Sequence, residues 1–323
     1  MSEKTVLVFH QGALGDLVVA FSAIQSLRKR YSRIHGICQG AVGELACRLG
    51  IFDRAFSIES AIFSTLFAHS FDSRLIEFLK CYDILLCFSF SKDLEAAVRK
   101  QTPGAVFRIT PRPRPSRRMH VAYHIEENLL AMGLSEGALL RQFDEEGRFV
   151  GTGAVPIKKS NPIRVLLHIG SGSPRKNWPL DHFKAVYREL IAKNMKPAFL
   201  LGPAERHRKA ELKRFECRIP KDLIALHELL QNADGYIGND SGVTHLSAFL
   251  KIPTVAVFGP SDSVRWHPIG PYVRVLVSEK CPKIPCFETQ TSPCNDCLAD
   301  VPPDSAISAL LGLFSRENGK TNL

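Results

Sequence analysis

Residues that could do chemistry are concentrated in three glycine-bearing turns and one arginine-rich segment. The last turn, Gly238-Asn239-Asp240-Ser241-Gly242, lies between an apolar strand closing at Tyr236 and Ile237 and a helix expected over Val243–Leu250. Such a turn offers backbone N–H groups at a helix N-terminus, a site for an anion such as a diphosphate. Its glycines let the backbone approach a ligand closely. His245 stands one turn into that helix, where a histidine is as often structural as functional. The second turn, Gly170-Ser171-Gly172-Ser173-Pro174-Arg175-Lys176, follows a strand over Arg164–Ile169. Lys176 is either a cation for the same anion or an ordinary surface lysine. The first turn, His10-Gln11-Gly12-Ala13-Leu14-Gly15-Asp16, sits between a strand at Thr5–Phe9 and a helix expected from Leu17 to about Tyr31. Its Gly-x-x-Gly-Asp spacing is not Gly-x-Gly-x-x-Gly, which argues against a dinucleotide site. Asp16 either caps the helix or is held there for chemistry.

The arginine-rich segment carries Arg108, Arg112, Arg114, Arg117, Arg118 and His120 among Pro111, Pro113 and Pro115, with no acidic residue between them. Proline keeps it extended. Guanidinium groups suit bidentate contact with phosphate or carboxylate. It reads equally as an acceptor loop for an anionic ligand and as a solvated basic loop.

The elements that must position these groups alternate as α/β. Further strands are expected at Ile34–Cys38, Arg54–Ile58, Tyr82–Phe88, Val106–Ile109, Pro197–Leu201 and Pro253–Phe258. Helices are expected at Gly43–Leu49, within the amphipathic stretch 61–80, and at His120–Met132, Asp181–Lys193, Leu223–Asn232 and Asp304–Phe314. Ser89-Phe90-Ser91-Lys92-Asp93 follows a strand, where an open α/β sheet places ligand-contacting loops. Glu205, in the turn Gly202-Pro203-Ala204-Glu205 after another strand, is either a ligand contact or an acid favoured by a helix dipole. Residues 141–162, polar with several Gly, Pro and Lys, are the best linker candidate. Two domains are therefore expected, 1–155 and 156–323, each opening with a strand, a glycine-rich turn and a helix.

With 323 residues the chain is long enough for two cores, and 45% hydrophobic with 23% charged residues is ordinary for a globular protein. No apolar run is long enough to span a bilayer, and the N-terminus lacks the basic region and cleavage site of a leader, so a cytoplasmic protein is expected. The net charge of +10 favours polyanionic partners: nucleic acid, anionic lipid head groups or phosphorylated saccharide. No nucleic-acid-binding motif accompanies it, so none is expected as a partner. Cys281, Cys286, Cys294 and Cys297 lie close together and the last two form Cys-x-x-Cys. A structural zinc site is weighed against thiols in a loop, and the prolines at 282 and 285 favour the loop.

Asp240-Ser241-Gly242 with His245, then Pro253 and Phe258-Gly259-Pro260-Ser261-Asp262, resembles the signature of glycosyltransferase family 9, the bacterial heptosyltransferases of the lipopolysaccharide inner core. The Gly12-to-Asp16 and Gly170-to-Lys176 blocks match the same family in the same order. The resemblance implies a GT-B fold: two Rossmann-like α/β domains with parallel sheets facing across a cleft, the first binding acceptor and the second the nucleotide-sugar donor. It implies that Asp16 is the catalytic base and that Lys176, Ser171 and Gly172 meet the donor diphosphate. Ser241, Gly242 and His245 would support that diphosphate, Asp240 the sugar hydroxyls, and Glu205 would lie near the nucleoside. The usual donor is ADP-heptose and the acceptor an anionic glycolipid at the inner membrane surface, met by Arg112, Arg114, Arg117 and Arg118. A monomer without cofactor, on the inner face of the inner membrane, is implied. No Asp-x-Asp metal motif is present, which fits metal-independent inversion. Transfer of another nucleotide sugar, a sugar-nucleotide epimerase and a non-catalytic binder are the competing readings. The chain departs from the family at His10-Gln11-Gly12, where a more polar turn is usual.

Overall fold

The computed structural model describes residues 4–64, 66, 71–150, 160–280, 285–286 and 296–315. They form two compact units, 1–148 and 149–323. The expected boundary between 155 and 156 lies outside the described residues, as do Cys281 and Cys294.

The N-terminal unit runs β1 (Thr5–His10), α1 (Leu14–Ser26), β2 (Arg33–Cys38), α2 (Gly40–Arg48), β3 (Arg54–Ser57), α3 (Ala61–Ser64), α4 (Ser73–Lys80), β4 (Ile84–Phe88), α5 (Lys92–Arg99), β5 (Ala105–Ile109) and α6 (Val121–Ala131). Its sheet is parallel, in the order β3-β2-β1-β4-β5. The chain builds outward from β1 to β3, then returns to β1's other side with β4. That reversal opens a crevice beyond the C-terminal ends of β1 and β4, where open α/β sheets bind ligands. β4 is buried throughout, as a central parallel strand must be.

The C-terminal unit runs β6 (Arg164–His168), α7 (Leu180–Ala192), β7 (Lys196–Leu200), β8 (Cys217–Arg218), α8 (Leu223–Gln231), β9 (Gly235–Asn239), α9 (Gly242–Phe249), β10 (Thr254–Phe258), β11 (Val273–Val277), α10 (Asp296–Ala299) and α11 (Pro303–Ser315). Its parallel sheet has the order β11-β10-β9-β6-β7-β8. The reversal here lies between β6 and β9. Trp178, Phe183, Val186 and Leu190 pack with Leu310 and Phe314 of α11 into one core.

Several expectations shift. α1 begins at Leu14, not Leu17, because Asp16 accepts the Ala13 N–H and draws the turn into the helix. It gives way at Leu27 to a short 3-10 turn ending at Lys29. Lys92 and Asp93 open α5 rather than extending the preceding loop. Residues 141–148 are not linker: Asp144 accepts the N–H groups of Glu146 and Arg148, folding a turn onto the N-terminal unit. β11 was not expected from sequence. Cys286 and Cys297 are buried, and no group of three or more His, Cys, Asp or Glu is placed to hold a metal among the described residues. No helix among them is long and apolar enough to cross a membrane.

One core residue of the N-terminal unit makes stability depend on pH. Glu126 on α6 is fully buried, and its carboxylate accepts the Ser26 hydroxyl of α1 at 2.8 Å. Burial pushes its pKa above the ordinary range, against lowering by hydrogen bonds that include Ser26 and Ser135. A pKa raised in the fold means stability that is present below the unfolded value and lost as pH rises through the folded one. Glu126→Gln cannot ionise, so it is expected to melt above the parent at about pH 8, with the gap closing toward about pH 4. Melting curves across that range check this; a gap independent of pH would count against it.

Candidate functional site

The reversal point of the C-terminal unit gathers most of the residues singled out by sequence. The loop after β6 carries Lys176 on a short 3-10 turn, Pro174–Lys176, capped by Ser173. The turn after β9 carries Asp240. The Lys176 Nζ lies 3.0 Å from Asp240 Oδ2, both side chains mostly buried. His245 Nε2 stands 3.8 Å from the other carboxylate oxygen. Burial alone would raise the pKa of Asp240; His245, the Lys176 ammonium and the Ser261 hydroxyl outweigh it and hold it at about 2. Asp240 is therefore a fixed negative charge with a cation beside it.

Ser241 caps α9, accepting the Thr244 N–H at 3.3 Å. Its hydroxyl also lies 3.0 Å from Thr244 Oγ1 and 3.4 Å from His168 Nδ1, so it organises the turn. Burial lowers the pKa of His168 to about 4, leaving a neutral ring at the end of β6. The first N–H groups of α9, starting at Gly242, have no acceptor within the helix. They sit on the same turn as Asp240 and bring positive potential there.

Ser171 is likewise used internally: its hydroxyl lies 2.6 Å from the Ser173 carbonyl and 2.7 Å from Asn177 Oδ1. Gly172 is exposed, and a Cβ there would meet nothing within 4 Å. The fold does not require glycine at that position. At Gly170 a Cβ would fall 2.2 Å from the Glu205 carboxyl, so a larger residue there would have to displace that side chain. Glu205 is buried and accepts the Gly202 N–H at 3.0 Å, so it lies directly against the β6 loop.

Asn239 escaped the sequence reading. Fully buried at the end of β9, it donates to the carbonyls of Ile169 (3.0 Å) and Gly170 (3.3 Å) and accepts the Trp178 N–H at 2.8 Å. It thus pins both ends of the loop bearing Lys176. The only signal was a polar side chain closing an otherwise apolar strand. Asn239→Ala leaves buried groups unpaired and should destabilise by about 2 kcal/mol. Ligand affinity should also fall, because Lys176 is released. In a Lys176→Ala background that second effect should vanish while the first persists; calorimetric binding and melting of the double variant read the two separately.

In the N-terminal unit, Asp16 is exposed at the third position of α1, its Oδ2 accepting the Ala13 N–H at 3.2 Å. A Cβ at Gly12 would fall 2.5 Å from the Asp16 Cβ and 2.6 Å from the His10 ring, so the turn closes only on glycine. His10 accepts the Gly12 N–H at 3.2 Å, and burial lowers its pKa to about 4. Of the arginines, Arg117 makes a bidentate pair with Glu127 of α6, both distances 3.0 Å. Arg108 pairs with Glu95 of α5 at 3.0 Å. The segment is thus less purely basic in space than in sequence. Arg112, Arg114 and Arg118 are exposed, and the Arg112 guanidinium lies over the Phe90 ring, 5.7 Å from its centroid.

Residues 119–295, more than half of the chain, match the family model for glycosyltransferase family 9 (heptosyltransferase). The chain belongs to glycosyltransferase family 9. Two curated lipooligosaccharide heptosyltransferase 2 proteins of Campylobacter jejuni resemble this family 9 member over part of their length. The serotype O:2 protein is 33% identical over 87 residues, 26% of this chain and 27% of the relative. The serotype O:6 protein is 28% identical over 146 residues, 42% of this chain and 46% of the relative. The match thus spans from about a quarter to about half the length of these relatives. The solved structure of the E. coli ADP-heptose lps heptosyltransferase II superposes with a TM-score of 0.70 at 18% identity, over 98% of this chain and all of the other. At that identity the likeness speaks for the fold: this family 9 protein is an α/β protein of the GT-B class, with two Rossmann-like units and two parallel sheets.

Proposed function

We propose that this family 9 protein is an inverting heptosyltransferase that moves a heptosyl group from ADP-heptose to the lipopolysaccharide inner core. The observation that carries the reading is the Lys176–Asp240 pair at the reversal point of the C-terminal sheet, 3.0 Å apart beside the start of α9. A cation and helix N–H groups there suit the diphosphate, and a fixed carboxylate suits sugar hydroxyls. ADP-heptose is the donor named for the E. coli neighbour.

In the reaction the acceptor hydroxyl oxygen attacks the anomeric carbon as the bond to the diphosphate oxygen breaks. The departing electron pair stays on the diphosphate, whose charge Lys176 and the α9 N–H groups neutralise. The Asp16 carboxylate takes the hydroxyl proton. A single displacement inverts the anomeric centre. Charge on the leaving group is met by protein cations and dipoles, so the scheme assigns no role to a metal. The acceptor is an anionic glycolipid at the inner face of the inner membrane, met by the exposed arginines of the N-terminal unit.

Two measurements test this. The protein's melting temperature should rise with ADP and ADP-heptose, by mass action on the native state. Release of ADP from ADP-heptose should require acceptor. Stabilisation only by UDP or GDP sugars would keep a transferase and discard the heptose. ADP-heptose consumed without ADP release would indicate an epimerase, and binding without turnover a non-catalytic binder.

A further inference from the structure

The two sheets share one plan. In the C-terminal unit the reversal point lies between β6 and β9, and the loops after both strands carry the paired Lys176 and Asp240. In the N-terminal unit the corresponding strands are β1 and β4. The first turn of α1, which follows β1, carries Asp16. The loop after β4 is Ser89-Phe90-Ser91, so Phe90 occupies the second lip of the same crevice. The register of β1 on β4 confirms the adjacency: His10 is the partner of Phe88, and their rings lie 5.3 Å apart.

That loop is short and locked. Ser91 donates its N–H to the Ser89 hydroxyl at 3.0 Å and caps α5 by accepting the Leu94 N–H at 3.1 Å. Arg108, held by Glu95, donates to the Ser89 carbonyl at 3.2 Å. Phe88 and Ser89 are buried, yet Phe90 is 59% exposed. A fixed backbone thus holds a large apolar ring in water at the mouth of the crevice, forgoing the gain that burial would bring. The Arg112 guanidinium stands over it at 5.7 Å.

We infer that Phe90 and Arg112 form an acceptor subsite for an anionic sugar. The ring receives the apolar face of a pyranose, and the guanidinium receives an oxyanion on that sugar, phosphate or carboxylate. This rests on the proposed transfer to an anionic glycolipid. A sugar fits better than a bilayer, because membrane insertion uses several neighbouring apolar side chains. Residues 108–118 add no second exposed large apolar side chain to Phe90.

The experiment uses the full chain, saturating ADP-heptose and the delipidated inner-core oligosaccharide as acceptor, intact and dephosphorylated. Phe90→Ala is expected to raise the acceptor KM about tenfold, with Phe90→Tyr close to the parent. Neither should alter the thermal shift produced by ADP. Arg112→Ala should raise KM similarly and Arg112→Lys less. If the Arg112→Ala effect disappears on the dephosphorylated acceptor, the oxyanion is phosphate; if it persists, carboxylate. An unchanged acceptor KM in Phe90→Ala would overturn the inference. So would an unchanged KM accompanied by lost binding to anionic phospholipid vesicles, which would make Phe90 a membrane contact. If the parent releases no ADP with any acceptor, the transferase reading fails on its own. Calorimetric titration of the oligosaccharide into parent and Phe90→Ala then still decides the subsite: equal affinity, or none, rejects it.

Discussion

Asp16→Asn is expected to slow the proposed heptosyl transfer by about a thousandfold while leaving donor affinity and melting temperature near those of the parent. The two roles open to Asp16 separate at this substitution. As a cap, its Oδ2 accepts the Ala13 N–H at 3.2 Å. Asparagine keeps a side-chain oxygen that can accept the same bond, so the start of α1 survives. As a base, the carboxylate must take a proton, which the amide cannot do. Asp16→Ala removes both functions and should lose about 1 kcal/mol of stability in addition to activity. His10 of the same turn is no ready substitute. It is buried, its pKa is lowered to about 4, and its Nδ1 already accepts the Gly12 N–H. Steady-state rates and melting curves for the two variants decide the matter. Near-parental kcat in Asp16→Asn would leave Asp16 as a cap alone and send the search for a base elsewhere.

The parts of each unit's candidate site legible in sequence were those encoded locally. A strand, a glycine turn and a helix follow one another within about fifteen residues, and their order alone puts Asp16, Lys176 and Asp240 beyond the C-terminal ends of strands. What sequence could not supply was contact across the sheet. Lys176 meets Asp240 over 64 residues of chain, and Asn239 reaches Ile169 over 70. A polar side chain closing an apolar strand was all that marked Asn239. The pairing within the arginine-rich segment was hidden for the same reason. Its neighbours along the chain hold no acid, but the turn of α6 facing Arg117 presents Glu127. The late reading of the α1 start has a local cause. Gly15 and Asp16 look like the end of a turn, yet glycine is tolerated in a first helical turn when an acid two or three positions in satisfies the cap N–H. Strand β11, with its Val-Arg-Val-Leu-Val alternation, was readable; as a half-buried edge strand it lacked the continuous apolar run of its neighbours.

Lys176→Ala should weaken ADP binding by about thirtyfold, roughly 2 kcal/mol, and should also destabilise the protein. The second effect follows from what is left behind. Asp240 is buried, and without the ammonium 3.0 Å away it has His245 at 3.8 Å and Ser261 left to offset desolvation. Breaking a buried pair from one side leaves an uncompensated charge. Because Lys176 is itself partly exposed, the expected loss is about 1–3 kcal/mol rather than the full range for closed pairs. Adding Asp240→Asn to Lys176→Ala removes the stranded charge, so the double variant should regain stability but not ADP binding. The pH dependence supplies an independent check. Asp240 in the parent has its pKa lowered from 3.8 to about 2. Its stabilising contribution is therefore complete above the unfolded value and lost as pH falls through the folded one. Without Lys176 the folded value rises, so acid unfolding of Lys176→Ala should begin at higher pH, and the double variant should lack that component. Restored stability with ADP still unbound would assign Lys176 directly to the diphosphate. Restored stability together with restored binding would instead mean that the charge on Asp240, once stranded, had been repelling the anion, and that the α9 N–H groups alone are enough to hold it.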